Sequence, residues 1–321
     1  MDKSLFWRKN GTTISRYAVV LVLFVLISIL RPGFAEASHI KVLLTEAAII
    51  GVAAIGQTLV IITGGIDMSI PWIFNAAAMA AFSLSKTYSE AVFPLVLLAI
   101  LLCGFLIGMV NGVCVAYLGI PSIVMTLGLN TVMQGAVTGL TSGSVSGKAP
   151  AVVKILATGT LGGISVAFLF WMLLTVITLL LLRKTKYGRS LYTLGNSRNV
   201  AKFSGIRVKR VEALAYGVSG LTAALAGLLL LGKTGSAYLG MGNEFQFESI
   251  AAVALGGVAM SGGSGSYLGT VAGAMTIAVL LSLLTALNLS QAMQQILYGI
   301  ILFIAVLAAT IQNAKNRSSK L

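Results

Sequence analysis

The sequence predicts an all-α membrane protein, a polytopic helical bundle of about ten transmembrane segments. Of its 321 residues, 57% are hydrophobic and only 9% are charged. Water-soluble domains of this length carry about a quarter charged residues, so lipid must cover most of this chain. The apolar runs are continuous, whereas the strands of a transmembrane β-barrel alternate apolar and polar residues. These observations favour membrane helices and exclude a barrel.

The apolar segments follow one another in a clear order. They span 17–35, 43–63, 71–84, 91–118, 122–142, 162–182, 211–232, 248–262, 267–287 and 292–312. Two of them, 71–84 and 248–262, hold about 14 residues each, fewer than the ~20 that a helix needs to cross a bilayer. We therefore expect a bundle in which two segments are short and interrupted by glycine.

The first segment allows two interpretations. A basic leader, the apolar stretch Tyr17–Leu30 and the letters AEA at Ala35–Ala37 resemble a cleavable signal peptide. The alternative is a first transmembrane helix that is retained. We favour the retained helix because proteins with many spans rarely need a cleaved leader.

The positive charges predict the topology. The net charge is +14, and nine of the 22 Lys and Arg residues fall in the acid-free loop 183–210. Others flank the apolar region, in 1–16 and 313–321. Short loops rich in Lys and Arg stay in the cytoplasm, so this loop and both termini should lie inside, around a single transmembrane domain over 1–321. The basicity therefore reflects topology and does not indicate nucleic-acid binding.

Each short segment borders a glycine-rich break, TGGIDMS at Thr63–Ser69 and SGGSGS at Ser261–Ser266. Irregular backbone at membrane depth persists only where protein buries it or where it lines a water-filled cavity. Paired breaks in two halves of a transporter indicate the translocation path. The alternative is that these glycines merely end helices near the surface. The residues expected to line or shape the path are Gly64, Gly65, Asp67, Ser69, Asn130, Gln134, Gly262 and Gly263.

Asp67 is the one clear carboxylate that the sequence places at membrane depth. Its charge costs roughly 2.5–3.5 kcal/mol there, so it needs a partner or a function. We expect backbone amides or the Ser69 hydroxyl to bind it, with Asp67 acting as an N-cap that shapes the loop. Direct contact with a sugar is the alternative.

Two helical stripes recur every four residues. Gly104, Gly108 and Gly112 should let another helix approach closely. The other stripe is polar and consists of Thr126, Asn130, Gln134 and Thr138. Polar groups in a membrane need partners, so this stripe should face other helices or a polar cavity, either as structural contacts or as contacts to a solute.

The stretch GLLLLGKT, Gly227 to Thr234, matches the phosphate-binding pattern G-x-x-x-x-G-K-[ST]. A phosphate loop follows a β-strand and exposes its backbone amides, whereas this match lies in an apolar helical run. We therefore expect no ATP hydrolysis by this chain. The lone His39 has no metal-binding residue beside it, so no metal site is expected either.

The 183–210 loop is typical of a docking surface. Its apolar residues have the spacing of a short amphipathic helical pair outside the membrane, and Lys and Arg surround them. They are Leu191, Leu194, Val200, Phe203 and Ile206. Gly195 and Gly205 are expected to form tight turns between the short helices. An ordinary contact with anionic lipid is the alternative.

Three ordered motifs resemble a known family. The stretches YGRSLYTLGNSRNVAKFSGIRVKR, IGQTLVIITGGIDMSI and FESIAAVALGGVAMSGGSGSYLG are similar to segments of bacterial ABC importer permeases of the ribose, galactose and xylose group. The resemblance covers roughly 40–312. Related branched-chain amino-acid permeases share the architecture but have a different, less acidic pattern in place of the GID motif, so GGIDMS favours a sugar-like solute. A branched-chain amino acid or a nucleoside is the alternative, and pentoses, hexoses, polyols and signalling furanosides all stay open. Pro71 and Trp72 depart from the pattern, which puts the shape near Asp67 in doubt.

The resemblance implies partners. It implies a second permease subunit as a homo- or heterodimer, cytoplasmic ATPase subunits that use the ATP, a periplasmic substrate-binding protein, and a place in the bacterial inner membrane. This chain itself would need no cofactor. By the same resemblance, the residues that couple it to the ATPase are Gly195, Asn196, Ala201, Ser204, Gly205 and Ile206.

The main rival is an ion-coupled secondary transporter that works through Asp67. Such a transporter needs no cytoplasmic docking loop and usually carries several membrane carboxylates. One clear membrane carboxylate and a long docking loop favour the ABC permease.

Overall fold

The computed structural model of this chain describes residues 3–287 continuously and, beyond them, 289, 290, 292, 293, 295–297, 299, 300, 303, 304 and 307. Over the continuous part, the chain forms twelve helices and one hairpin. The helices are α1 (Lys3–Leu30), α2 (Ala37–Ile62), α3 (Ile70–Leu84), α4 (Phe93–Leu118), α5 (Ser122–Thr141), α6 (Ala151–Thr158), α7 (Val166–Lys184), α8 (Lys186–Asn196), α9 (Arg198–Phe203), α10 (Val208–Thr234), α11 (Phe245–Leu255) and α12 (Tyr267–Ala286). Strands β1 (Thr160–Leu161) and β2 (Ile164–Ser165) pair antiparallel before α7.

The expectation of an all-α, polytopic bundle is confirmed. Among the described residues, seven helices are long and apolar enough to cross a membrane, namely α1, α2, α4, α5, α7, α10 and α12. The apolar helices α3 and α11 have only 15 and 11 residues and match the two short segments. The tenth expected segment, 292–312, lies outside the continuously described residues. The count of ten and the cytoplasmic termini therefore stay predictions.

Some expected boundaries are wrong. The segment expected at 248–262 ends as a helix at Leu255, because Gly257 follows in a left-handed conformation (φ 67°) that turns the chain. The segment expected at 162–182 begins with the hairpin, so its helix starts at Val166. Pro71 sits in the first turn of α3, where its missing N–H breaks no helical hydrogen bond.

Helices α2 and α10 form the centre of the bundle. In α2, 94% of the most apolar stretch is buried, against 11% in α5. The Gly104, Gly108 and Gly112 stripe of α4 packs on α10 as expected. A Cβ atom on Gly108 would lie 2.2 Å from the carbonyl oxygen of Tyr216, and one on Gly112 would lie 2.5 Å from that of Ala213. The glycines thus let the two backbones touch.

Candidate functional site

The two glycine breaks contact each other. The Gly263 amide donates a hydrogen bond of 2.9 Å to the carbonyl oxygen of Ile62. A Cβ atom on Gly262 would lie 2.9 Å from the Gly64 amide nitrogen, so there is no room for a side chain. Gly64, Gly262 and Gly263 all have positive φ angles, of 89°, 86° and 76°, which favour glycine. The breaks therefore form one backbone junction, here called the glycine joint.

Gly64 also ends α2, as the alternative interpretation held. Its amide donates to the carbonyl oxygen of Ile61, and the Gly65 amide donates to that of Val60. This pair of bonds, with a left-handed glycine between them, is a Schellman motif. A Cβ atom on Gly65 would lie 2.3 Å from the Tyr216 hydroxyl oxygen, so this position is closed by α10. Helix ending and close packing thus occur at two adjacent glycines.

The last turns of α8 pack directly on the glycine joint. A Cβ atom on Gly195 would lie 1.9 Å from the carbonyl oxygen of Ile62 and 2.4 Å from the Gly263 amide nitrogen. The Asn196 side-chain amide donates to the carbonyl oxygen of Gly263 at 2.9 Å. The loop 183–210 is therefore connected by backbone contact to both breaks.

Tyr192 adds a second link from α8. Its hydroxyl donates a hydrogen bond of 2.9 Å to the carbonyl oxygen of Gly265. Burial raises the pKa of Tyr192, and the charge of Arg183 opposes this only in part. The phenol consequently stays protonated and remains a donor at physiological pH.

Asp67 is 1% exposed, and Ser69 binds it as expected. One carboxylate oxygen, Oδ1, accepts from the Ser69 amide at 2.9 Å and from the Ser69 hydroxyl at 2.6 Å. Asn111 on α4 donates to the same hydroxyl at 2.8 Å. The expected N-cap position is wrong, however, because Ser69 occupies it and Asp67 stands two residues before. Asp67 instead closes a local turn that leads the chain into α3.

Helix α5 fixes the other side of the first break. The Thr126 hydroxyl accepts from the Met68 amide at 2.9 Å, and that of Ser122 accepts from the Ile66 amide at 3.3 Å. Thr126 is thus the member of the polar stripe that packs inward. Asn130 is half-buried, whereas Gln134 and Thr138 are exposed on the surface of the chain. The stripe therefore runs from the first break onto an open face of α5.

Several buried polar groups within the bundle escaped the sequence reasoning. Tyr216 and Ser219 of α10 neighbour the Asp67 carboxylate. Among the described residues, some fully buried side-chain atoms have no hydrogen-bond partner: atoms of Gln57, Asp67, Asn75, Asn111, Tyr216 and Ser219. A signal did exist, since an isolated amide or hydroxyl in an apolar helix is costly unless it has a role.

Asp67 is not the only carboxylate in the bundle, and the expectation of one clear membrane carboxylate is wrong. Lys233, at the end of α10, forms a salt bridge with Glu46 of α2. Glu248 of α11 is buried and lies near the Lys233 ammonium. Lys233 thus pairs with α2 through Glu46, while Glu248 of α11 lies near it without a salt bridge to it.

The phosphate-loop match is confirmed as accidental, because all of Gly227 to Thr234 lies within α10. A Cβ atom on Gly227 would lie 2.2 Å from the carbonyl oxygen of Phe74, and one on Gly232 would lie 2.3 Å from that of Val153. The two glycines therefore serve helix packing, and the lysine forms the ion pair with Glu46.

Gly205 ends α9, as expected. Its φ is 75°; its amide donates to the carbonyl oxygen of Lys202, and the Ile206 amide donates to that of Ala201. These bonds form another Schellman motif. The expected turn at Gly195 is wrong, because Gly195 is helical and the chain turns at Ser197, where φ is −162°. Gly195 is a glycine for close packing instead.

The amphipathic pair in 183–210 is confirmed as α8 and α9, yet its apolar residues do not share one surface. Leu191 and Leu194 are buried against the bundle, as is Ala201. Phe203 is 89% exposed and Val200 is 56% exposed. The outward surface is therefore formed by α9, together with Ser204 and Gly205, while Gly195 and Asn196 face the glycine joint.

Comparison with known proteins identifies the family. The model of the family described as "Branched-chain amino acid transport system / permease component" matches residues 40–306. The probable ABC transporter permease protein YphD of Escherichia coli K12 is 34% identical, covering 98% of this chain and 94% of its own length. No solved structure matches the chain significantly.

Other relatives are import permeases. The ribose import permease protein RbsC of Bacillus subtilis is 34% identical over 90% of this chain and 89% of its own. The autoinducer 2 import system permease protein LsrC of Escherichia coli O157:H7 is 33% identical over 92% and 85%. Since the family model spans most of the chain and these relatives nearly all of it, the chain belongs to this family of permease components and is the multi-pass, non-catalytic permease subunit of an ABC importer.

Proposed function

We propose that this permease carries a sugar or sugar-like solute that a periplasmic binding protein delivers, across the inner membrane of a bacterium. The relatives named for ribose and for autoinducer 2 cover about nine tenths of the chain and support this substrate class. Ribose is a polyhydroxylated solute, for which buried hydroxyls and amides are suitable partners. The topology proposed is ten crossings with both termini and the 183–210 loop in the cytoplasm.

The glycine joint is the observation that carries the coupling mechanism. A cytoplasmic ATPase that binds the exposed face of α9 would move α8, which touches Ile62 and Gly263 without any side chain between them. Interatomic contact this close does not absorb displacement, because packed backbone has little compressibility. Movement of the loop therefore reaches both breaks, and through the first break it reaches Asp67.

The open face of α5 supports a second permease subunit. A transmembrane helix with an exposed Gln134 would present an amide to lipid in a single chain, and the half-buried Asn130 has a side-chain oxygen without a hydrogen-bond partner among the residues that the structure describes; both carry a cost in free energy. A facing subunit would enclose these amides in a polar path between the two copies. In this arrangement, Asn130 and Gln134 contact the solute, whereas Asp67 and Ser69 shape the loop beside it.

ATP-dependent uptake tests the proposal. The permease would be reconstituted with its ATPase and binding protein, and uptake of a pentose, a hexose, an autoinducer-type furanose and leucine would be compared. We expect uptake of one sugar-like solute. Gln134→Leu should lower it at least tenfold at an unchanged membrane level, while Val132→Leu, an exposed position elsewhere on α5, should not. Uptake of leucine alone would refute the substrate class, and normal uptake by Gln134→Leu would refute the path.

A further inference from the structure

A basic cavity opens between the end of α4, α9 and the start of α10. Its volume is about 490 Å³. Five of its nine lining residues are basic and none is acidic; the basic ones are Arg198, Lys202, Arg207, Lys209 and Arg210. This cavity is separate from the glycine joint and from the exposed apolar residues of α9.

Part of the cavity's positive charge is already engaged. The Arg198 guanidinium pairs with Glu212 at 2.7 Å, and the Lys209 ammonium lies 5.1 Å from the centre of the Tyr117 ring. In the described part of the chain, neither Arg207 nor Arg210 forms a salt bridge. The first turn of α10 lines the same wall, so the positive end of its helix dipole adds to the field. The cavity is therefore suited to an anion.

An apolar groove of about 280 Å³ continues from this cavity along α4 and α10. It is lined by Met109, Val113, Tyr117, Arg210, Ala213 and Leu214. Tyr117 and Arg210 line both spaces, so the basic cavity and the apolar groove meet at these two side chains. Tyrosine and arginine are side chains that anchor at the boundary between lipid and water.

We propose that the cavity and the groove together bind one anionic phospholipid of the cytoplasmic leaflet. The phosphate lies among Arg207, Arg210 and Lys202, and an acyl chain lies along Val113 and Leu214. A soluble anion would use the cavity but have no use for the apolar groove. An acidic segment of a partner protein would not enter a groove formed by two membrane-spanning helices. Only an amphipathic ligand fits both parts at once.

The lipid also has a structural consequence for the loop. The cavity wall includes Asn199 and Lys202 of α9, and Val208 and Lys209 of α10. A bound headgroup would therefore bridge the two helices on either side of Gly205. Bound lipid would hold α9 in place without covering Phe203.

Native mass spectrometry of the purified full-length permease tests this site. Phosphatidylglycerol, phosphatidylcholine and inorganic phosphate would be titrated separately. We expect phosphatidylglycerol to bind at least tenfold more tightly than phosphatidylcholine. Arg207→Gln/Arg210→Gln should weaken it by roughly 30-fold, as expected for two cations at a membrane surface. The control Lys184→Gln/Lys186→Gln removes equal charge from the same side at exposed positions outside the cavity, and it should change binding less than threefold.

A third variant separates the headgroup from the acyl chain. Val113→Trp fills the groove without changing charge, so it should weaken long-chain phosphatidylglycerol severalfold. Equal affinity for the two lipids, or equal losses in the two double variants, would overturn the proposal. Saturable binding of inorganic phosphate as tight as that of the lipid would assign the cavity to a free anion. If Arg207→Gln/Arg210→Gln kept the lipid and lost the ATPase subunit, the cavity would be a protein-docking site instead.

Discussion

Replacing Gly205 with valine tests whether the shape of α9 controls attachment of the ATPase. Gly205 has φ 75°, and its position is open, since no atom lies within 4 Å of the site of a Cβ. A substitution therefore adds backbone strain and no clash. The left-handed conformation costs an ordinary residue roughly 1–2 kcal/mol, and a β-branched residue belongs at the upper end. The spans of the bundle are untouched, so the variant should insert normally.

The strain acts on the population of the docking conformation. About 2 kcal/mol corresponds to a factor of about 30, so the affinity of the ATPase for Gly205→Val should fall about 30-fold. Gly205→Ala should lose about fivefold, at roughly 1 kcal/mol. Gly205→Asn should stay within about threefold of the parent, because asparagine tolerates this conformation. Titration of the purified ATPase against the solubilised permease, with coupled ATP hydrolysis as a second readout, measures the series.

Two results would refute this reasoning. If Gly205→Asn were as damaging as Gly205→Val, backbone conformation would not be the cause. If Gly205→Val kept the ATPase while neutralisation of Arg207, Lys209 and Arg210 released it, the loop would be an electrostatic anchor, and its assignment as a coupling element would be wrong.

Three further predictions concern the interior. Gly195→Ala places a methyl group 1.9 Å from the carbonyl oxygen of Ile62, so it should uncouple ATP hydrolysis from uptake. The control Gly128→Ala, in open space, should leave the two coupled. Equal behaviour of the two variants would contradict the proposal that the glycine joint transmits the movement. Lys233→Met leaves Glu46 without its partner and should cost about 1–3 kcal/mol of stability, less than for a fully buried pair because both side chains are part-exposed; the lower melting temperature should be largely restored by a second change, Glu46→Gln. Without such rescue, the ion pair is not the cause. The Asp67→Asn variant should insert normally but show lower uptake, because a neutral amide oxygen accepts more weakly from Ser69 than a carboxylate does. Intact assembly and uptake would exclude both roles considered for Asp67, namely shaping the loop and contacting the solute.

The features that sequence predicted well are local and periodic. The stripe of Gly104, Gly108 and Gly112 repeats every four residues, so one helix face could be derived without knowing what packs on it. The same holds for α8 and α9, whose apolar spacing indicated two short helices. The helix ending at Gly205 followed from the preference of glycine for a left-handed C-terminus.

The features that sequence missed depend on distant partners. Positions 195 and 205 are both glycine and lie in the same loop. Only the contact with Ile62 makes Gly195 a packing glycine, whereas Gly205 lies in open space. The contact between the two glycine breaks joins residues about 200 positions apart. A single sequence carries no signal for such a distant contact. Glu46 and Glu248 were overlooked because averaging hydropathy over a long window hides one carboxylate among apolar neighbours.

The salt bridge between Lys233 and Glu46 has a consequence for how the chain is made. The two residues are 187 positions apart, so α2 is synthesised long before α10. Until α10 is synthesised, Glu46 has no Lys233 to pair with, so its charge in the membrane is uncompensated. A truncated or stalled nascent chain therefore carries an uncompensated charge that a finished chain does not. Chains truncated before α10 should therefore be less stable in the membrane than chains that extend past Lys233.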